Sequence, residues 1–239
     1  MKLGIIGAME KEVALLKDHM EDVRTRTHAG MEFWEGRLEG CPVVVVRCGV
    51  GKVNAAACTQ TLADLFQVDG IVNTGIAGAL DPRLDIGDFV ISTDAMYSDF
   101  TVAALGLTPG QVPHMDVLAF PVDERLAACA EDACNALNLH WIRGRIATGD
   151  QFVSGHGQKD RIISVTAGAC TEMEGAAIAH VCYLNGIPCV ILRAISDKAD
   201  DSADLDYPAF EVQAANASAN MTRFMAQRCA ALPGKFSEM

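Results

Sequence analysis

The residues best placed to do chemistry in this chain are acids at the ends of apolar runs. Glu172 and Glu174 stand in Thr171-Glu172-Met173-Glu174-Gly175, and Asp197 closes Arg193-Ala194-Ile195-Ser196-Asp197. The first acids end a short segment, 169–173, that runs into a helical pattern over 175–185. The second segment, 188–195, is an apolar strand built on Cys189-Val190-Ile191-Leu192 that stops at Ser196-Asp197. In α/β sheets, ligands bind outside the carboxyl ends of strands. Two carboxylates there, expected on neighbouring strands, can divide the work of holding a sugar and donating a proton. Taken alone, Ser196-Asp197 reads first as a helix or turn cap.

Positioning such groups requires a rigid frame, and the pattern supplies one. Strands are expected over 2–7, 31–38, 42–48, 70–74, 88–95 and 141–148. Helices are expected over 11–20, 52–66, 123–137, 175–185 and 207–228. The residues from 95 to about 119 read as a long loop. This alternation predicts an α/β sheet with helices on both faces. With no linker, repeat or low-complexity run, residues 1–239 are expected to form a single domain.

Composition narrows the partners. A net charge of −12 argues against nucleic acid, because phosphate binding wants a basic face. No apolar run reaches transmembrane length, and the one at 3–9 is followed by Glu10 and Glu12, so no signal peptide is expected. A cytoplasmic protein is the expectation. Nine cysteines without a C-x-x-C pair read as buried free thiols acting as small hydrophobes. The acids 197, 200, 201, 204 and 206 do not match a calcium loop, no His-Glu-x-x-His occurs, and no metal is expected. Gly49-Val50-Gly51-Lys52 lacks the first glycine and the Ser/Thr of a phosphate loop. Gly75-Ile76-Ala77-Gly78-Ala79 is open to two readings, a strand-to-helix turn or a close backbone approach to ligand. Glu10 and Glu12 lie in the first turns after a strand and cannot share a helix face.

Three motifs together carry a family likeness. Glu-Met-Glu-Gly-Ala at 172–176, Arg-Ala-Ile-Ser-Asp at 193–197 and Gly4-Ile5-Ile6-Gly7-Ala8-Met9-Glu10-Lys11-Glu12 resemble the 5′-methylthioadenosine/S-adenosylhomocysteine nucleosidases of the purine nucleoside phosphorylase superfamily. The likeness spans residues 1–210. It implies a three-layer α/β/α fold with a central mixed sheet, nucleoside phosphorylase-like, and hydrolysis of the N-glycosidic bond without a cofactor. Methylthioadenosine and S-adenosylhomocysteine are the implied substrates, with 5′-deoxyadenosine and 6-amino-6-deoxyfutalosine as further ones.

The resemblance also assigns roles. Asp197 becomes the acid that protonates N7 of the leaving adenine, oriented by a hydrogen bond to Ser196 or to backbone. Glu12, rather than Glu10, becomes the base for water. Glu174 accepts hydrogen bonds from the ribose hydroxyls, Met173 packs on ribose and base, and Glu172 supports the site from behind. Arg193 takes a positioning role near the water. Phe152 stacks on adenine, the backbone of Val153 reads the purine edge, and Gly78 turns toward ligand contact. The apolar 5′ pocket maps to Met9, Val50, Tyr207 and Phe210, completed by Val102, Leu105 and Pro113 of a second subunit, so a homodimer is implied. Ile76, Ser98, Leu105, Leu107 and Tyr207 depart from common family residues around that pocket and its lid.

Two other readings share the fold. A phosphorylase needs arginines beside the ribose, whereas loop 7–12 offers carboxylates and 75–80 offers no arginine. A non-catalytic nucleoside-binding or storage protein has no use for Glu12, Glu174 and Asp197 together with Phe152.

Overall fold

The computed structural model describes residues 1–232. Its centre is β5 (Gly70–Ala79), ten residues that are all buried. Parallel to β5 run β1 (Leu3–Gly7) on one side and β10 (Cys189–Asp197) on the other, and β4 (Cys41–Arg47) runs parallel to β1. Beyond β4 the sheet continues antiparallel through β3 (Met31–Leu38) to the edge strand β2 (Glu21–His28). On the other side, β10 pairs with β6 (Phe89–Tyr97), β6 with β8 (Trp141–Thr148), and β8 with β9 (Cys170–Glu172), while β7 (Phe120–Pro121) adds to β6. β9 then pairs with the end of β5, so β5, β10, β6, β8 and β9 close into a ring.

Alternation along the strands builds two cores. Leu3, Ile5, Val43, Val45, Val190 and Leu192 face one side, against α1 (Glu10–Asp18), α3 (Glu124–Ala136) and α6 (Ala203–Cys229). Ile6, Val44, Val46 and Ile191 face the other, against α2 (Lys52–Phe66) and α5 (Gly175–Asn185). Each such side chain, fully buried, contributes about 1.5–3 kcal/mol of transfer free energy. The result is a three-layer α/β/α fold around a mixed sheet. The remaining α-helix among the described residues, α4 (His156–Thr166), covers a small third cluster of Leu80, Ala147, Val153 and Ala199.

Four expectations are corrected. The segment 75–79 is neither turn nor helix start; it continues β5 as strand. Ser196 and Asp197 lie within β10 rather than beyond it. β9 and β10 are not neighbours; they flank β5, where Gly78 pairs with Thr171 on one side and Asp197 on the other. α6 begins at Ala203, a turn before the expected 207, and carries Pro208 inside it. All nine cysteines are buried and free, as expected. No helix among the described residues is long and apolar enough to cross a membrane.

Candidate active site

A cleft of about 580 Å³, counting space open to solvent at its mouth, lies at the carboxyl ends of β1, β5 and β10. Its lining brings together Met9, Glu12, Val50, Gly78, Phe152, Val153, Glu172, Met173, Glu174, Ser196, Asp197 and Tyr207. Sequence reasoning had not singled out Ala8, Ala77, Gln151 and Thr171, which also line it. Arg193, expected in a positioning role near the water, does not line it; it is 1% exposed and lies behind the acids. Val102, Leu105 and Pro113 lie outside the cleft of their own chain, and Leu105, on a short 3₁₀ turn, is 76% exposed. Phe210 also falls outside the lining.

Glu12 is fixed by local geometry. It occupies the third position of α1, where its Oε2 accepts from the Ala8 N–H at 2.6 Å and the Met9 N–H at 2.9 Å. Oε1 accepts from the Ile76 N–H at 3.2 Å. Gly75 is what permits this closeness, since a Cβ there would lie 2.6 Å from Glu12 Oε1 and 3.4 Å from Arg193 Nη1. Burial pushes the Glu12 carboxyl above its ordinary pKa, against the pull of Arg193 and the three backbone donors. Glu10, in contrast, is an exposed partner of Lys17 at 2.7 Å.

Glu172 is an anchor. Its carboxylate accepts from the N–H groups of Glu174 and Gly175, from the Thr148 hydroxyl and from Arg193 Nη2. Arg193 also donates to Asn73 Oδ1 at 2.6 Å and to the Leu192 carbonyl at 2.9 Å, and its buried Nε has no partner. The guanidinium is therefore committed to holding acids in place. Glu174 caps α5, and its Oε1 accepts from the Gly51 N–H at 2.8 Å, which brings the glycine-rich 49–51 turn to the cleft. The N-termini of α1, α2 and α5 thus converge on one volume, and their partial positive charge favours anionic side chains there.

Asp197 sits on the opposite side of Gly78. Its Oδ2 accepts from the Ser196 hydroxyl at 2.8 Å and its Oδ1 from the Ala199 N–H at 2.8 Å. Burial nevertheless raises its pKa, outweighing both donors, with Asp206 and Asp200 adding to the rise. A Cβ at Gly78 would meet Asp197 Oδ1 at 2.7 Å, so the acid needs glycine there. Phe152, 46% exposed, meets the Tyr207 ring edge-on with centroids 5.3 Å apart, which gives the cleft an aromatic wall.

Residues 2–228 match the family model of the Phosphorylase superfamily. The chain belongs to this superfamily.

Solved structures place it near the superfamily's nucleosidases. The 5′-methylthioadenosine/S-adenosylhomocysteine nucleosidase of Neisseria meningitidis, in complex with methylthio-immucillin-A, is 36% identical over 95% of this chain and 99% of that one, with a TM-score of 0.92. The enzyme of the same name from Colwellia psychrerythraea 34H, in complex with adenine, is 39% identical over 95% and 94%, with a TM-score of 0.91. The futalosine hydrolase of Helicobacter pylori strain 26695 is 30% identical over 95% and 98%, with a TM-score of 0.91.

Within this superfamily fold, four carboxyl groups line one cleft, and among the described residues no lysine, arginine or histidine joins them there. Burial raises Glu174 to about 8, Glu172 adds to the rise, and Arg193 and the Gly51 N–H oppose it. A carboxyl raised on folding binds its proton more tightly in the native chain. Its stabilising contribution is complete below the unfolded pKa, near 4.5, and is lost as pH rises toward 8. Glu174→Gln removes that loss. At pH 9 it should be more stable than the parent by at most about 5 kcal/mol, and nearly equal at pH 5. The ceiling is not reached if Glu12 takes over the proton. Thermal melts at the two pH values check this, and a pH-independent difference would remove Glu174 from the proton-holding role.

Proposed function

We propose that this protein hydrolyses the N-glycosidic bond of adenosine 5′-thioethers, methylthioadenosine and S-adenosylhomocysteine, releasing adenine and a 5-thioribose derivative. The observation that carries the reading is the division of acids across one cleft: Asp197 on one side of Gly78, Glu12 and Glu174 on the other. Adenine lies between Phe152 and Asp197, and protonation of N7 by Asp197 lets it leave as a neutral base. Glu174 holds the ribose hydroxyls and, when ionised, stabilises the oxocarbenium ion that forms. Water attacks C1′ from the face opposite the base, and Glu12 takes its proton.

The charge inventory separates this from phosphorolysis. A phosphate dianion entering the cleft finds acidic groups and, among the described residues, no cationic side chain in the lining, and the Arg193 guanidinium behind them is already shared among Glu172, Asn73 and Leu192. Adenine release should therefore be independent of added phosphate, with a free reducing 5-thioribose derivative as the sugar product. Recovery of a ribose 1-phosphate, or a strict need for phosphate, would replace this reading with a phosphorylase.

The working unit in this proposal is a cytoplasmic homodimer of single-domain subunits. The exposed apolar segment around Leu105 supports the dimer, because burying it against a second copy removes an apolar patch from water. There Val102, Leu105 and Pro113 complete the partner's 5′ pocket. One continuous sheet supports the single domain, and nine reduced, buried thiols suit a reducing compartment.

A further inference from the structure

Beside the cleft lining stands a pair of opposite charges. Tyr207 lines the cleft with its ring, while its hydroxyl reaches the Met9 sulfur at 3.5 Å. One turn further along α6, on the same face, stands Glu211, whose carboxylate influences the Tyr207 hydroxyl. On α1, two residues after Met9, stands Lys11, and its Nζ meets Glu211 Oε1 at 2.5 Å. The side chain of Lys11 is 50% exposed and that of Glu211 18%, and the pair bridges α1 and α6 next to the lining residues Met9 and Tyr207. The Lys11 ammonium and the Glu211 carboxylate, with the Tyr207 hydroxyl between cleft and rim, make a dipolar edge next to the Met9 sulfur.

Resting on the orientation proposed above, we infer that Lys11 and Glu211 are specificity residues for a 5′-thioether tail that ends in an α-amino acid. Such a tail is a zwitterion. Its carboxylate is the complement of Lys11, and its ammonium is the complement of Glu211 and the Tyr207 hydroxyl. An exposed ion pair is only weakly held, so the pair can exchange its internal partner for the two ends of the ligand at little cost. A tail that ends in a methyl group reaches Met9 and the Tyr207 ring and gains nothing from the charges. The rim thus discriminates S-adenosylhomocysteine from methylthioadenosine without altering the groups around the glycosidic bond.

The test compares kcat/KM for the two nucleosides in the parent, in Lys11→Met, in Glu211→Gln, and in the charge swap Lys11→Glu with Glu211→Lys. The ratio of S-adenosylhomocysteine to methylthioadenosine should fall about tenfold in each single variant, as expected for loss of one charge-assisted contact. It should recover in part in the swap, which restores both charges. The parent's ratio should also fall with added salt. Equal losses on both substrates would make the pair a latch between α1 and α6 and overturn the inference. If the parent cleaves neither nucleoside, the hydrolase reading fails. The rim is then scored by calorimetric Kd on the same variants, where equal changes for the two ligands overturn it.

Discussion

Asp197→Asn is expected to remove turnover and leave nucleoside binding nearly intact. The amide keeps the size of the carboxyl, and its oxygen can still accept from the Ser196 hydroxyl or the Ala199 N–H. It has no acidic proton for N7, so adenine would have to leave as an anion. Loss of a general acid costs about 10²–10⁴-fold, or roughly 3–5 kcal/mol of barrier. The pH profile gives a second readout. Burial raises Asp197 above the ordinary carboxylate range, and activity needs its protonated form. Rate in the parent should therefore fall as pH rises through that raised pKa, and the residual rate of the variant should lack this limb. Single-turnover adenine release and calorimetric binding of a methylthioadenosine analogue check the two halves. A variant with near-parental turnover would take Asp197 out of the acid role.

What the chain reveals before folding follows from where apolar residues fall. The run Val43-Val44-Val45-Val46 and the run at 189–192 announce buried strands, because both faces of the sheet are covered. β2 escapes notice for the opposite reason. Its sequence Glu-Asp-Val-Arg-Thr-Arg-Thr-His is exposed at every position and has no apolar alternation, as suits a charged edge strand. α4 is similarly silent, since Thr166 is its only buried residue. The glycines of β5 mislead, because 75 and 78 look like turn residues. They serve instead to admit the Glu12 and Asp197 carboxylates against the strand.

The site is legible in a different measure. Glu12, Glu174 and Asp197 are separated by up to 185 residues in sequence, and only the family pattern associates them. β1 and β10 bring Glu12 and Asp197 to β5 from its two sides, the ring closure through β9 adds Glu174, and no local signal encodes these pairings. The resemblance gives Arg193 a positioning role near the water, but the sequence does not show which groups it holds. In the fold it lies within a strand between two cores, and its charge is spent on Glu172 and Asn73. The rim pair is also invisible, because Lys11 and Glu211 sit in ordinary solvated helical patterns 200 residues apart.

Glu12→Gln should produce a loss comparable to that of Asp197→Asn, but with the opposite pH signature. Water attacking the ribosyl cation must lose a proton, and Glu12 accepts it only when ionised. Burial raises its pKa, so in the parent the rate should fall as pH drops through that raised value, the acidic limb of a bell whose alkaline limb belongs to Asp197. Glutamine cannot accept the proton at any pH. Its oxygen can still receive the Ala8, Met9 or Ile76 N–H, but its NH₂ must displace at least one of those donors. The expected result is a fall of about 10²–10⁴ in kcat with a small change in KM, because the lost interaction belongs to the transition state. The acidic limb should vanish while the alkaline limb persists. A rise in KM at constant kcat would instead make Glu12 a binding residue for the ribose and transfer the base role to Glu174, the other acid on that side of Gly78.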